Sequence, residues 1–178
     1  MKRSLIALAL AAVLPWTAQA AELSYNYLEG DYVNIDGDAD GFGVRGSLNF
    51  GGSDFYGFGS YNRVELDGYN FNIDTFDLGF GYHYNLSERA HLIAELAYVN
   101  SEFDIDAYRT SVGLRGLLTD RLEGIAKLNY SNGNNINSTT SGTAGLLFKF
   151  NKTWGLSGEV ELAEQNVQVY TAGIRASF

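Results

Sequence analysis

Apolar and polar residues alternate with a period of two along most of the chain after residue 23. That is the signature of half-buried strands rather than helices. Ten segments carry it: 24–35, 41–50, 54–66, 73–84, 91–101, 107–118, 122–131, 139–150, 153–164 and 167–178. They match the roughly 9–11 residues of a tilted membrane-crossing strand and exceed the roughly 5–6 of a globular one. In the last segment Tyr170, Ala172, Ile174, Ala176 and Phe178 share one face, with Thr171, Gly173, Arg175 and Ser177 on the other. Phe76, Leu78, Phe80, Tyr82 and Tyr84 likewise stand opposite Asp77, Gly79, Gly81 and His83. The pattern predicts an all-β, antiparallel up-and-down transmembrane barrel of about ten strands, eight if the first two are misread. Its apolar faces meet lipid and its polar faces a lumen. A secreted β-sandwich shares the periodicity but not the strand length.

The polar faces concentrate charge. Parity puts Glu29, Asp31, Arg45, Arg63, Glu65, Asp77, Glu95, Arg109, Arg115, Glu123, Lys127, Lys149, Glu159, Glu161 and Arg175 in the lumen. Seven bases against eight acids is nearly neutral. A narrow ring would bring them together as a salt-bridged plug, the alternative being a narrow wet path. The first segment is untidy, because Tyr25 and Tyr27 fall on the lumen side unless a bulge intervenes. The closing strand is expected to pair with residues 23–35, bringing Arg175 near Glu29 or Asp31.

A 32-residue repeat supports the hairpin count. Leu86-Ser87-Glu88-Arg89 matches Leu118-Thr119-Asp120-Arg121, and Ile93-Ala94 matches Ile125-Ala126. The same offset relates Glu95, Lys127 and Glu159, predicting one level of alternating charge. Aromatics bracket the strands, with Tyr32, Phe42, Tyr98, Tyr108, Tyr130 and Tyr170 at one end. Phe50, Tyr84, Phe150, Trp154 and Phe178 stand at the other, as interfacial girdles do.

Composition adds the compartment. Met1-Lys2-Arg3, an apolar run from Leu5 to Leu14 and Thr17-Ala18-Gln19-Ala20 read as a signal peptide over 1–20, leaving the barrel as 21–178. The apolar run is too short for a spanning anchor. The chain's net charge is −9, so loss of Lys2 and Arg3 leaves −11, which argues against nucleic acid as a partner. No cysteine is present, which excludes thiol chemistry. An even strand number puts both termini and the turns near residues 51–53, 85–89, 119–121 and 151–153 in the periplasm. The opposite loops carry nine acids and no base, a rim suited to solubility or to divalent-cation bridging.

Candidate chemistry is sparse. Asp36, Asp38 and Asp40 have half of a calcium-loop spacing, but Ser47 stands where the bidentate Glu belongs, so an acidic hairpin tip is the simpler reading. His83 and His91 flank one turn without a third ligand nearby. No serine or threonine sits in a nucleophile motif. The reading is no enzyme and no cofactor.

Three stretches resemble a family of small outer-membrane barrels from xanthomonad-type gammaproteobacteria, commonly labelled diffusible-signal or quorum-sensing outer-membrane proteins. They are Leu23-Ser24-Tyr25-Asn26-Tyr27-Leu28-Glu29-Gly30, Gly79-Phe80-Gly81-Tyr82-His83-Tyr84-Asn85-Leu86-Ser87-Glu88-Arg89 and Gly113-Leu114-Arg115-Gly116-Leu117-Leu118-Thr119-Asp120-Arg121. The resemblance implies a monomer that is escorted by periplasmic chaperones and inserted by the barrel-assembly machinery. Tyr170, Ile174 and Phe178 form the assembly signal that outer-membrane barrels share. Lipid and lipopolysaccharide are then its surroundings. The expected function is a charge-plugged outer-membrane barrel with a structural, envelope-integrity or surface-contact role. The alternatives are a small porin or channel, or a surface or vesicle-borne signal.

Overall fold

The computed structural model describes residues 23–36, 38–66, 68, 71–102, 105–134, 136–164 and 167–178. The signal-peptide reading lies outside them. Ten strands form: β1 (Tyr27–Ile35), β2 (Ala39–Asn49), β3 (Phe55–Leu66), β4 (Asn72–Ser87), β5 (Ala90–Ser101), β6 (Ile105–Leu117), β7 (Leu122–Asn134), β8 (Ile136–Lys149), β9 (Trp154–Ala163) and β10 (Gln168–Ser177). Each pairs antiparallel with its neighbour in sequence, and β10 returns to β1 to close one ring. A single closed sheet excludes the two-sheet sandwich.

Closure leaves no free sheet edge, because every strand is hydrogen-bonded to a neighbour on each side. In the closing pair Glu29 lies opposite Arg175 and Tyr27 opposite Ser177. The Phe178 N–H donates to the Asn26 carbonyl at 3.0 Å. The first strand begins at Tyr27 instead of residue 24. Its register against both neighbours is unbroken, so no bulge turns Tyr27 outward, and Tyr25 before it is buried inside as well. Irregularities fall at Asn85/Ser87 and Ser131/Gly133, near strand ends.

At the end holding the C-terminus, hereafter the terminal end, connections are tight. Gly51 and Gly52 take φ of 63° and 75°, a backbone that favours glycine and turns β2 into β3. At the far end Asp36 has φ of 52°, and its Oδ1 accepts the Gln168 N–H at 2.8 Å, fastening the β1–β2 tip to β10. Asp40 lies within β2, opposite Asn34 and Glu65. Among the described residues no cluster of three metal-ligating side chains forms.

The barrel is apolar outside and charged inside. Leu28, Val44, Leu48, Leu78, Val112, Leu114, Leu128, Leu146, Leu156 and Ile174 all project outward and exposed. In water this would be a severe hydrophobic exposure; against hydrocarbon it is the stable arrangement. The predicted aromatics sit outward too, with Tyr32 edge-on to Phe42 and Tyr98 beside Tyr108 at the far end. Phe148 packs edge-on to Phe150 at the terminal end. Tyr170, Ile174 and Phe178 project from β10 and its end to the same outer surface.

Candidate functional site: the filled lumen

Inward positions of all ten strands fill the interior in several linked groups. Before β1, Asn26 is still tied to β10 and β2, its carbonyl accepting from Phe178 N–H and its Oδ1 from Asn49 N–H at 2.6 Å, and Leu23–Tyr25 fold into the terminal mouth as a strap. Leu23 and Tyr25 are buried there. The Tyr25 ring stacks on His83 with centroids 4.3 Å apart, and lies 4.6 Å from Tyr56. Its hydroxyl is 3.0 Å from His91 Nδ1. The Arg115 guanidinium sits over the same ring at 4.5 Å and donates to the Ser24 carbonyl at 2.8 Å. Arg115 also binds Glu123, whose second oxygen is 3.1 Å from Lys149 Nζ. Strap and wall are thereby tied by both charge and stacking.

Deeper in, Glu29 has no exposed side-chain surface. It accepts from Arg175 Nε and from Ser157 Oγ at 2.9 Å, and lies 3.2 Å from Arg45 Nε. Arg175 also lies over the Tyr27 ring at 4.0 Å. Arg45 is the hub. Its Nε donates to Asp31 at 2.8 Å and its Nη1 reaches Glu159 at 3.2 Å on β9, across β1 and β10. Lys127 Nζ pairs with Glu95 at 3.1 Å, and Tyr56 donates to the other Glu95 oxygen at 2.8 Å. Burying so many charges costs desolvation, which is offset here because each of these carboxylates faces at least one cation, and Glu29 and Glu95 collect a second donor.

Toward the far end the acids are held by hydroxyls. Ser141 donates to Glu161 at 2.6 Å, and Ser60 to Asp77 at 2.9 Å. Arg109 Nε, Ser47 Oγ and Asn129 Oδ1 have no hydrogen-bond partner among the described residues. All three residues line a central cavity of about 160 Å³. Val33, Ala39 and Val64, backed by Ile35, Leu66 and Val169, form an apolar cluster nearer the far mouth.

Two predicted lumen residues do not belong there. In β3 the even positions Tyr56 and Val64 are buried, so Arg63 and Glu65 face outward. Arg63 is exposed and pairs with Asp74 Oδ2 at 2.6 Å on the outer surface of β4. At the far end of the barrel outward positions stand clear of the apolar belt, so charge there no longer marks the lumen side. The lumen set is six bases, Arg45, Arg109, Arg115, Lys127, Lys149 and Arg175. Seven acids accompany them: Glu29, Asp31, Asp77, Glu95, Glu123, Glu159 and Glu161. The repeat-related trio divides: Lys127 bonds Glu95, while Glu159 is taken by Arg45. Sequence reasoning passed over Tyr25 and the stacked histidines as part of the filling. Their inward parity was the available signal.

A closed ring of ten antiparallel strands, apolar without and ionic within, is the architecture of porin-like outer-membrane barrels. The solved structures it resembles agree. The KdgM porin in complex with disordered oligogalacturonate aligns over 85% of this chain and 99% of its own, with TM-score 0.59 and 13% identity. The KdgM porin alone aligns over the same shares with TM-score 0.54 and 12% identity. The Acinetobacter baumannii outer membrane protein Omp33 follows at TM-score 0.42 and 13% identity, covering 88% of this chain and 99% of its own. No family model and no curated protein matches the chain.

Proposed function

We propose that this chain is an integral, monomeric outer-membrane barrel whose lumen is closed by its own side chains. It serves the envelope structurally or as a surface for contact, without catalysing a reaction. The observation that carries this reading is Glu29. A carboxylate with 0% side-chain exposure inside the barrel, bound to two arginines and a serine, supports a lumen filled by side chains at its level. The aromatic strap at one mouth and the valine cluster near the other support it. Export by the signal peptide, delivery by periplasmic chaperones and insertion by the assembly machinery through the Phe178-terminated strand belong to the same proposal. The surroundings are outer-membrane lipid and lipopolysaccharide.

A small channel is the second reading, favoured by the cavity faced by Arg109 and by the porin neighbours. Fractionation and heat-dependent gel mobility test the barrel in its membrane. Solute-swelling of liposomes separates the two readings: a closed lumen predicts no swelling with a small neutral sugar, and a channel predicts rapid swelling.

A further inference from the structure

Arg109 is the unmatched charge of the lumen. The other five lumen bases each hold a carboxylate: Arg45 on Asp31, Arg115 and Lys149 on Glu123, Lys127 on Glu95, and Arg175 on Glu29. Arg109 has no ion pair among the described residues, and its buried Nε has no hydrogen-bond acceptor there. We propose that Arg109 holds a small monovalent anion, of halide or formate size, in the central cavity.

The register explains why no acid of the chain fills this role. Across β5 the residue opposite Arg109 is Ala97, and across β7 it is Ser131. Ser111, the next inward residue of β6, lies between Glu95 and Asn129. Glu95 is therefore the nearest acid along the wall, but Lys127 and Tyr56 already occupy its two oxygens. Asp77 stands two strands away, opposite Val99, and accepts from Ser60. Glu161 stands three strands away on β9 and accepts from Ser141. Both line the same cavity without pairing with Arg109. A guanidinium carries five donors and a full charge, and inside a barrel its lack of a counter-charge is costly. The cavity beside it, about 160 Å³, has room for an ion with several waters. The Ser111 and Ser131 hydroxyls serve none of the lumen acids and can turn their O–H groups toward the same ion. One negative charge replaces the missing carboxylate. A multivalent anion would add surplus charge facing Asp77 and Glu161, so the site selects a single charge. Gluconate is bulkier than the benzene that a cavity of about 150 Å³ accepts, and serves as the excluded reference anion.

The test is reversible urea unfolding of the full barrel in detergent or lipid at constant ionic strength, with the folded fraction read from gel mobility without boiling. Sodium gluconate is exchanged stepwise for sodium chloride, bromide or formate, up to about 100 mM. An ion that binds only the folded chain multiplies the folding constant by one plus its concentration over Kd, about tenfold at ten times Kd. The wild type should show a rise of that order that saturates with one site. Arg109→Gln should show none. If that variant does not assemble, Ser111→Ala combined with Ser131→Ala should move the rise to higher anion concentration. A wild-type folding constant that ignores the exchange means that water alone fills the cavity and overturns the site. A rise that survives Arg109→Gln puts the ion elsewhere and overturns it as well. The readout is folding and not current, so failure here leaves the closed lumen to its own conductance test.

Discussion

Truncating Glu29 to alanine removes the most enclosed carboxylate of the lumen. Arg175 then keeps only its place over the Tyr27 ring, at 4.0 Å, among the contacts described for it. Arg45 loses a partner at 3.2 Å but retains Asp31 and Glu159. Ser157 Oγ loses its acceptor. Breaking a buried pair from one side costs about 3–5 kcal/mol, because the remaining charge stays buried. Arg175 is 12% exposed and Arg45 21%, so some hydration reaches them, and the low end of that range, about 3 kcal/mol, is expected. Denaturant unfolding of the barrel in detergent or lipid, followed by gel mobility without boiling, measures the loss. Glu29→Gln retains an acceptor for Ser157 and should fall between wild type and alanine. If Glu29→Ala unfolded within about 1 kcal/mol of wild type, as a surface ion pair would, the buried-network reasoning would be refuted.

Arg63→Ala should behave oppositely, since its pair with Asp74 is exposed on the outer surface; the same unfolding assay should register a far smaller loss than for Glu29→Ala. A loss comparable to that of Glu29→Ala would return Arg63 to the lumen. Gly41→Ala should cost about 1–3 kcal/mol, because a Cβ there would run into the Arg63 carbonyl oxygen and lie 2.7 Å from the Val64 Cα, both backbone atoms that cannot yield easily. Gly30→Ala, where a Cβ meets nothing within 4 Å and points to lipid, should stay within about 0.5 kcal/mol in parallel measurements.

The ring itself was legible because lipid outside and charge inside impose one strict alternation on every strand. Positions 92, 94, 96 and 98 against 93, 95, 97 and 99 in β5 show it plainly. The pair of Lys127 with Glu95 was also legible, since the hairpin repeat places them on alternate neighbouring strands. Parity names a face, however, and says nothing about which walls meet across the lumen. Arg45 and Glu159 stand 114 residues apart, and only the closure and width of the barrel join them. The facing of Arg63 and Glu65 was misread because charge marks the lumen only within the apolar belt. In β3, moreover, the large residues Tyr56 and Phe58 point inward while Gly57 and Gly59 take outward positions. The strap was hidden for a related reason: Tyr25 continues the parity of β1, yet it belongs to no strand and fills the mouth instead.

Single-channel recording in a planar lipid bilayer at neutral pH tests the closed lumen most directly. With Glu29, Arg45, Arg115 and Arg175 interlocked and Tyr25 across the mouth, the purified, heat-modifiable barrel should insert and carry no steady current. Regular, ion-selective conductance steps from the wild-type chain would contradict the account.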